Sequence, residues 1–556
     1  MKLSSISLSF ASLLAVATAD WQYRSRPDLS PPQLNITIPP KDTAPGYLFL
    51  APYSGFADIG TTHGPRQSAP YIFTDKGELV WSGYTYFSIW AANFQAGKVN
   101  GKDVLFSFEG SHNPNYGHGH GHITFLDQKY QTVHELRAGN HKLLDKHEFH
   151  IINERTGLVE IYDPVPIDLT PYGGTPDQQW IVDAKVQELD IETGEVLFQW
   201  SSLEHILPHD SVLPVYEGQP GFGYNSSDAW DYFHINSVDK DENGNYLISA
   251  RNAASIYKID GKTGEVIWKL GGLPGVTSSD FSTKDKNLTF SFQHHARYLS
   301  TSEDGSRQVI SLYDNSAHGT ENKDGREKNY KKQSSGKIVE VDTKNWEAKL
   351  LFNGPAPDNL LSKSQGSTQV LENGNVLVGW GSEGAVSEFN PKGEAIFHAY
   401  VDSGEFGHLA QNYRAFKFDW HGYPTEDIAL YSEVTEDGHT IAYVSWNGDT
   451  ETKSWKFFSV DENGTKHFLE EKKKAGFETL IKFDNKKHSK IIVEAFDHNG
   501  KALAASTPVF TQKQILPYKK ESSNDQRIEK LEKEVGLLES ALNYFDWRTH
   551  RSSYGF

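Results

Sequence analysis

The 556-residue chain carries 73 acidic against 54 basic residues, a formal charge of −19, which argues against nucleic acid or an anionic membrane as a partner. It has no cysteine, so disulfides, thiolate metal sites and cysteine nucleophiles are excluded and stability must come from a large core. Aromatic residues at 13% and 47 glycines fit a β-rich protein with many turns.

The chain opens MKLSSISLSFASLLAVATADW, with Lys2, a mostly apolar stretch and the small residues Ala17-Thr18-Ala19 before Asp20. This is the pattern of a secretory signal peptide over residues 1–19, too short for a membrane span, and it predicts a secreted, soluble protein with no membrane partner. Sequons at Asn35, Asn225, Asn287 and Asn463 are the expected glycosylation sites on that route.

From residue 20 to 415 two phrases alternate. One is a polar-Gly turn leading into an apolar strand: TDKGELVWSG from Thr74, DIETGEVLFQW from Asp190, DGKTGEVIWKLGG from Asp260 and NPKGEAIFHAY from Asn390. The other is DENGNYLISAR, SEDGSRQVISLYD or LENGNVLVGWG. Each is a hairpin signal, and two hairpins per unit make the four strands of a propeller blade. Within the first units lies NYGHGHGHITFLD, with His118, His120 and His122 separated by glycines. Same-face neighbours in a strand stand about 6.6 Å apart, too far for three ligands on one ion, so no metal site is expected in this run. His118 or His120 is expected on the channel rim.

One position recurs with imidazole. His147 in HEFHIINERTG, His234 in YFHINSVDKDENG and His294 in FQHHARYLSTSEDG each stand before a turn glycine, Gly157, Gly244 and Gly305. The same position in SQGSTQVLENG carries Ser364 and Gln365, and Arg251 ends the strand NYLISAR. A lone strand histidine is usually structural, but three at equivalent repeat positions, joined by Asn236 and Arg251, point to a site over a central channel.

Residues 416–515 lack the blade phrase and read as an immunoglobulin- or fibronectin-like sandwich. In 516–556, Ile528, Leu531, Val535, Leu538, Leu542 and Phe545 form an a/d seam. That amphipathic helix either docks on its own chain or supports self-association.

The phrases HEF, WDYFHINSV, NGNYLISAR, TGEVIWKLGG, FQHHAR, NGNVLVGWG, SWNG and GFET, in this order over most of the chain, resemble the fungal branch of the arylsulfotransferase family, the PAPS-independent aryl sulfate sulfotransferases. The resemblance implies an all-β chain with a six-bladed β-propeller, and sulfuryl transfer between phenols through a transient sulfohistidine. Carried over by motif, His294 is the nucleophile, and His234, Asn236, Arg251 and His147 surround the sulfuryl oxygens. His295, Gln365 and His120 are the expected substrate-binding positions. Position 295 is His where relatives more often have an acidic residue, so the choice within the pair His294 and His295 stays open. No metal or cofactor is expected, and the partners are small phenolic molecules. The same channel is also compatible with another conversion of a phenolic or polyketide metabolite, such as a cyclisation. A metal-dependent propeller hydrolase or a non-catalytic binding scaffold are the remaining alternatives.

Overall fold

The computed structural model describes residues 20–56, 62–63, 65–87, 90–113, 117–215, 221–319, 328–404, 407–483 and 488–513. The expected signal peptide at 1–19 and the helix expected within 516–556 lie outside the described residues. What is described is almost wholly β, and the one α-helical turn in it is Ser202–His205. Among the described residues no helix is long and apolar enough to cross a membrane.

Antiparallel sheets of four strands follow one another along the chain. The second sheet runs Trp90–Val99, Lys102–His112, Gly119–Asp127 and Thr132–Leu136. The third runs Phe149–Ile152, Thr156–Pro166, Trp180–Asp190 and Val196–Ser201, and the fourth Ile235–Lys240, Tyr246–Ala250, Ser255–Ile259 and Val266–Gly271. The fifth runs His294–Thr301, Arg307–Asp314, Ser335–Asp342 and Glu347–Pro355. The sixth runs Ser367–Val370, Val376–Gly379, Ala385–Phe389 and Ala395–Tyr400, with Asn35–Ile38 added at its outer edge. The first sheet is composite: Tyr47–Leu50, Tyr71–Phe73 and Leu79–Ser82 are joined by Phe416–Phe418 from far down the chain.

The strand Phe416–Phe418 lies on the sandwich side of the boundary expected at 416, yet Phe416, Lys417 and Phe418 pair with Phe49, Leu48 and Tyr47. Both faces of the strand need cover, and Phe416 finds it beside Phe49 and Trp81 in one apolar cluster. Leading strands of neighbouring sheets touch in succession from the second sheet to the sixth. Val376–Gly379 and Phe416–Phe418 carry the contacts back to Trp90–Val99.

The two turn phrases fall where hairpins need them. Asp190 Oδ1 accepts the Thr193 N–H at 3.0 Å, and Asp260 Oδ1 accepts those of Lys262 and Thr263 at 2.9 and 2.8 Å. Gly194 and Gly264 close these turns at φ 72° and 79°, a conformation glycine adopts without a Cβ penalty. Inner strands such as Tyr246–Ala250 are buried on both faces between neighbouring sheets, whereas the outer strand Glu347–Pro355 alternates exposed and buried. The core lies between sheets, as where Trp200, Tyr232, Phe233 and Tyr257 fill the space between the third and fourth.

Residues 429–513 form two further sheets around Ala442, Val444, Trp455, Phe457, Ile481 and Val493. Asn447 ties them to the first sheet by a reciprocal pair of bonds with the Ser82 backbone, 2.8 and 3.0 Å, and Tyr130 donates to Gly448 O at 2.6 Å.

Candidate active site

At the start of several leading strands the backbone departs from regular β. Asn93, His234, His295 and Gln365 all have left-handed φ, between 53° and 68°. The pairing register slips at Ala92/Gln95, Ile235/Ser237 and His294/Arg297. A bulge with a left-handed residue re-aims side chains, and non-glycine residues held this way cluster at functional sites.

The strand starts bring the repeat-position histidines together, His234 and His294 at bulges and His147 ahead of a regularly paired strand. His147 and His234 meet edge to face, ring centroids 4.8 Å apart and planes at 84°. His294 is buried close enough that its charge and theirs act on one another. Each of the first two is held by a carboxylate from its own loop. Asp145 Oδ1 lies 2.5 Å from His147 Nδ1 and also accepts the His147 backbone N–H at 3.0 Å. Asp231 Oδ2 bonds His234 Nδ1, and its Oδ1 accepts the His234 N–H at 3.1 Å. Carboxylates on Nδ1 hold the proton there and leave Nε2 as the working nitrogen.

His294 is oriented differently. Its Nδ1 lies 2.7 Å from Asn315 Oδ1 and 3.0 Å from Phe292 O, two acceptors that fix the proton on Nδ1. Its Nε2 is therefore the bare nitrogen, and the Gln365 N–H donates to it at 3.2 Å. Asn315 is itself fixed by its Nδ2, which donates to Ser362 O and Gln365 O at 3.1 and 3.0 Å.

Burial, with the positive charges of Lys146, Arg251 and the neighbouring rings, depresses the proton affinity of these imidazoles. His147 and His294 fall well below the usual histidine value. His234 is pushed down to about 4 by burial, with Asp231 pulling the other way. Burial works to raise Asp231, but His234 and His118 more than offset it and hold the carboxyl below its ordinary value. Glu160, 3.4 Å from His147 Nδ1, is driven well above the carboxylate range by burial and by Asp145 and Glu148. The site thus holds neutral imidazoles at neutral pH.

Arg251 Nη1 and Nη2 donate to Asn252 Oδ1 and Lys363 O, both at 2.9 Å, with the guanidinium 5.3 Å over Phe292, and its charge acts on His294 and His234. Asn236 is fully buried and its Nδ2 donates to Gln293 O at 2.6 Å. Gln365 Nε2 donates to Gln411 at 2.6 Å. His295 is directed elsewhere: its Nδ1 meets the Thr368 backbone and its ring packs on Phe416, 5.5 Å away. Of the pair, His294 is the one beside Arg251, His234 and Gln365.

The Gly-His run does not act as one row. His120 Nδ1 meets Ser111 Oγ at 2.9 Å, and His122 lies 3.7 Å from Glu109. His118 turns away from both, placing Nε2 2.9 Å from Asp231 Oδ2 and stacking on Tyr162 at 4.1 Å. His118, His120, Asp145 and Tyr162 line a cleft of ≈ 610 Å³, within the range of small-molecule sites.

Sequence reasoning passes over the groups that brace this cluster. Asp145 and Asp231 stand two and three residues before their histidines, in DKH and DYFH, a spacing that could have flagged them. Glu148 pairs with Arg297 at 2.8 Å and Arg414 at 3.0 Å, all buried, and Arg414 Nη2 donates to Asn236 O at 2.7 Å. No local pattern announces that network.

A family model described as arylsulfotransferase (ASST) matches residues 95–402, which contain every one of these histidines. No curated protein matches the chain. Among solved structures, it is similar to a protein of unknown function from Bacteroides caccae at 9% identity and TM-score 0.35, covering 67% of this chain and 98% of that one. The hydrazine synthase of Kuenenia stuttgartiensis matches at 10% identity and TM-score 0.29, over 63% of this chain and 79% of that one. Dihydro-heme d1 dehydrogenase NirN in complex with DHE matches at 12% and 0.29, over 88% and 80%. Likenesses at these scores carry no argument about function.

Proposed function

The chain belongs to the arylsulfotransferase (ASST) family, and from that premise we propose that it is a secreted enzyme moving a sulfuryl group from an aryl sulfate to a phenol without PAPS. In this reading the six successive sheets are the blades of a propeller and the strand starts that carry the histidines are its axial site. The observation that carries the reading is the meeting of His147 and His234, each braced by a carboxylate on its Nδ1, beside a His294 whose proton is fixed on Nδ1.

In the first half-reaction Nε2 of His294 attacks sulfur, the S–O bond to the donor breaks, and phenolate leaves. The covalent sulfohistidine divides one transfer into two similar steps. Sulfuryl transfer, like phosphoryl transfer, passes through a loose transition state with charge on its equatorial oxygens, so Arg251 and the Gln365 N–H are placed to stabilise it. In the second half a neutral His147 or His234 takes the acceptor's phenolic proton at Nε2, the oxygen attacks sulfur, and the S–N bond breaks. That proton returns to the next leaving phenolate, so the cycle closes without an outside acid. The cleft beside Tyr162 and His118 has room for an aromatic ring.

Incubation with a chromogenic aryl sulfate, with and without a phenol, tests this. Intact-protein mass is expected to show one sulfuryl group captured when the acceptor is withheld and released when it is added. Absence of both capture and turnover across a broad set of aryl sulfates would overturn the reading and favour a different conversion in the same channel.

A further inference from the structure

His118 is the one histidine of its run that leaves its neighbours, and what it reaches, 113 residues further on, is the carboxylate of Asp231, already held by the imidazole of His234. We propose that His118, Asp231 and His234 form a binding site for one divalent transition-metal ion, zinc by ligand type. The site goes beyond the sulfuryl-transfer reading and does not depend on it.

The donor set is two imidazole nitrogens and one carboxylate oxygen, all within 4.8 Å of one another. Two histidines with one carboxylate and an open position is an established ligand set for zinc and for non-haem iron. The donors converge from two directions, His118 from the loop before Gly119–Asp127 and the other two from the loop before Ile235–Lys240. Three consecutive same-face histidines could not have done this; one of them, paired with a remote Asp–His, does.

The surroundings hold the donors in place. Asp231 Oδ1 accepts the His234 N–H at 3.1 Å, and Asn252 Nδ2 donates to Asp231 O at 2.7 Å. The His118 ring lies nearly flat on Tyr162, with planes at 10°. The loop that delivers His118 passes so near its neighbour that a Cβ on Gly119 would sit 2.5 Å from Ser111 O. Such outer contacts orient metal ligands. Access is also provided: side-chain exposure runs 22% for His118, 15% for Asp231 and 8% for His234, a gradient from the ≈ 610 Å³ cleft inward.

A second group, Asp145, His147 and Glu160, has similar spacing but is more enclosed: Asp145 forms part of the cleft wall, yet none of the three side chains is more than 4% exposed. All three are buried, and Asp145 Oδ2 already accepts the Gly119 N–H at 2.6 Å. It carries no proposal. At the His118 site, binding moves each ring proton to the far nitrogen, so His234 gains an N–H at Nε2 without any proton being lost. A metal-loaded chain therefore presents His234 as a donor, and a metal-free one presents it as an acceptor.

The test is zinc content by mass spectrometry of the untagged full chain, stripped with chelator and dialysed against zinc chloride. One zinc per chain and a raised Tm are expected for the wild type and for His120→Gln and His122→Gln. His118→Gln and Asp231→Asn should bind at least roughly 100-fold more weakly, beyond the range for loss of an outer partner. Circular dichroism checks each fold, and His118→Gln, at the partly exposed end, decides if Asp231→Asn fails to fold. A wild type that takes up no stoichiometric zinc, or His120→Gln losing it as fully as His118→Gln, overturns the site. Zinc bound by a chain that transfers no sulfuryl group upholds the site and sinks the proposed function; transfer by a chain that binds no zinc does the reverse.

Discussion

The backbone N–H of Gln365 points at Nε2 of His294 from 3.2 Å, so the lone pair assigned to attack sulfur already faces a fixed donor. Gln365 holds this position through a left-handed φ of 68°, and Asn315 bridges the same loop to the far side of the ring. After attack, that N–H lies beside the new S–N bond, where a sulfuryl oxygen replaces the lone pair as its acceptor. His294→Ala should retain its circular dichroism, lose covalent capture, and fall at least ~10³-fold in kcat/KM, as when a covalent nucleophile is removed. Capture by the variant would move the nucleophile elsewhere.

Burial and the nearby Arg251 charge hold His294 well below the ordinary histidine value of 6.5, so its lone pair is free throughout the mildly acidic range. The acid limb of kcat/KM should therefore fall below pH 6.5. A limb at 6.5 or above, read from a profile between pH 4 and 8, would show a nucleophile exposed to water.

Asp145 keeps the His147 proton on Nδ1. In Asp145→Asn the amide can present its N–H instead, which reverses the tautomer and removes the Nε2 lone pair. If His147 is the base of the second half-reaction, kcat should drop by about 10²–10⁴-fold with capture by His294 preserved. Equal loss of capture and turnover would make Asp145 a structural brace only.

His234 is buried and neutral, with its value pushed down to about 4, so unfolding between pH 4 and 6.5 takes up a proton that the folded state does not hold. The stability from this group is complete above pH 6.5 and is lost as pH falls toward 4. At pH 5 the loss is on the order of 2 kcal/mol. The Tm difference between wild type and His234→Gln should shrink from pH 7 to pH 5; a difference that stays constant or grows refutes the assignment.

Glu148 is wholly buried between Arg297 and Arg414. Glu148→Ala leaves two guanidiniums without their counterion and should cost about 3–5 kcal/mol, measured by chemical denaturation. A loss under about 1 kcal/mol would mean that water or other acceptors take over.

The histidines were legible because a repeat turns an ordinary residue into a periodic anomaly: His147, His234 and His294 share one place before a turn. Their carboxylate partners are as close in sequence but sit at unequal offsets, two residues for Asp145 and three for Asp231, because His234 precedes a bulged strand and His147 a regular one. His118 could not be told from His120 and His122 by composition or period; the fold separates them through Asp231, in the loop that leads into another sheet. Strand alternation places His294 and His295 on opposite faces but leaves open which one looks inward. The bulge between His294 and Arg297 settles that, and residue type does not encode it. The Glu148 network joins residues 149 and 266 positions apart, beyond any local pattern.

The pairing of Phe416–Phe418 with Tyr47–Leu50 has a kinetic corollary. Arg414 stands two residues before that strand, so it reaches Glu148 and the Asn236 carbonyl only when the two ends of a span of roughly 370 residues have met. Closing so long a loop is slow relative to local hairpins. A ribosome-bound nascent chain can have all three histidines emerged and still lack a finished pocket. Competence to react would then arise in one late step, coincident with the docking of the carboxy-terminal sheets.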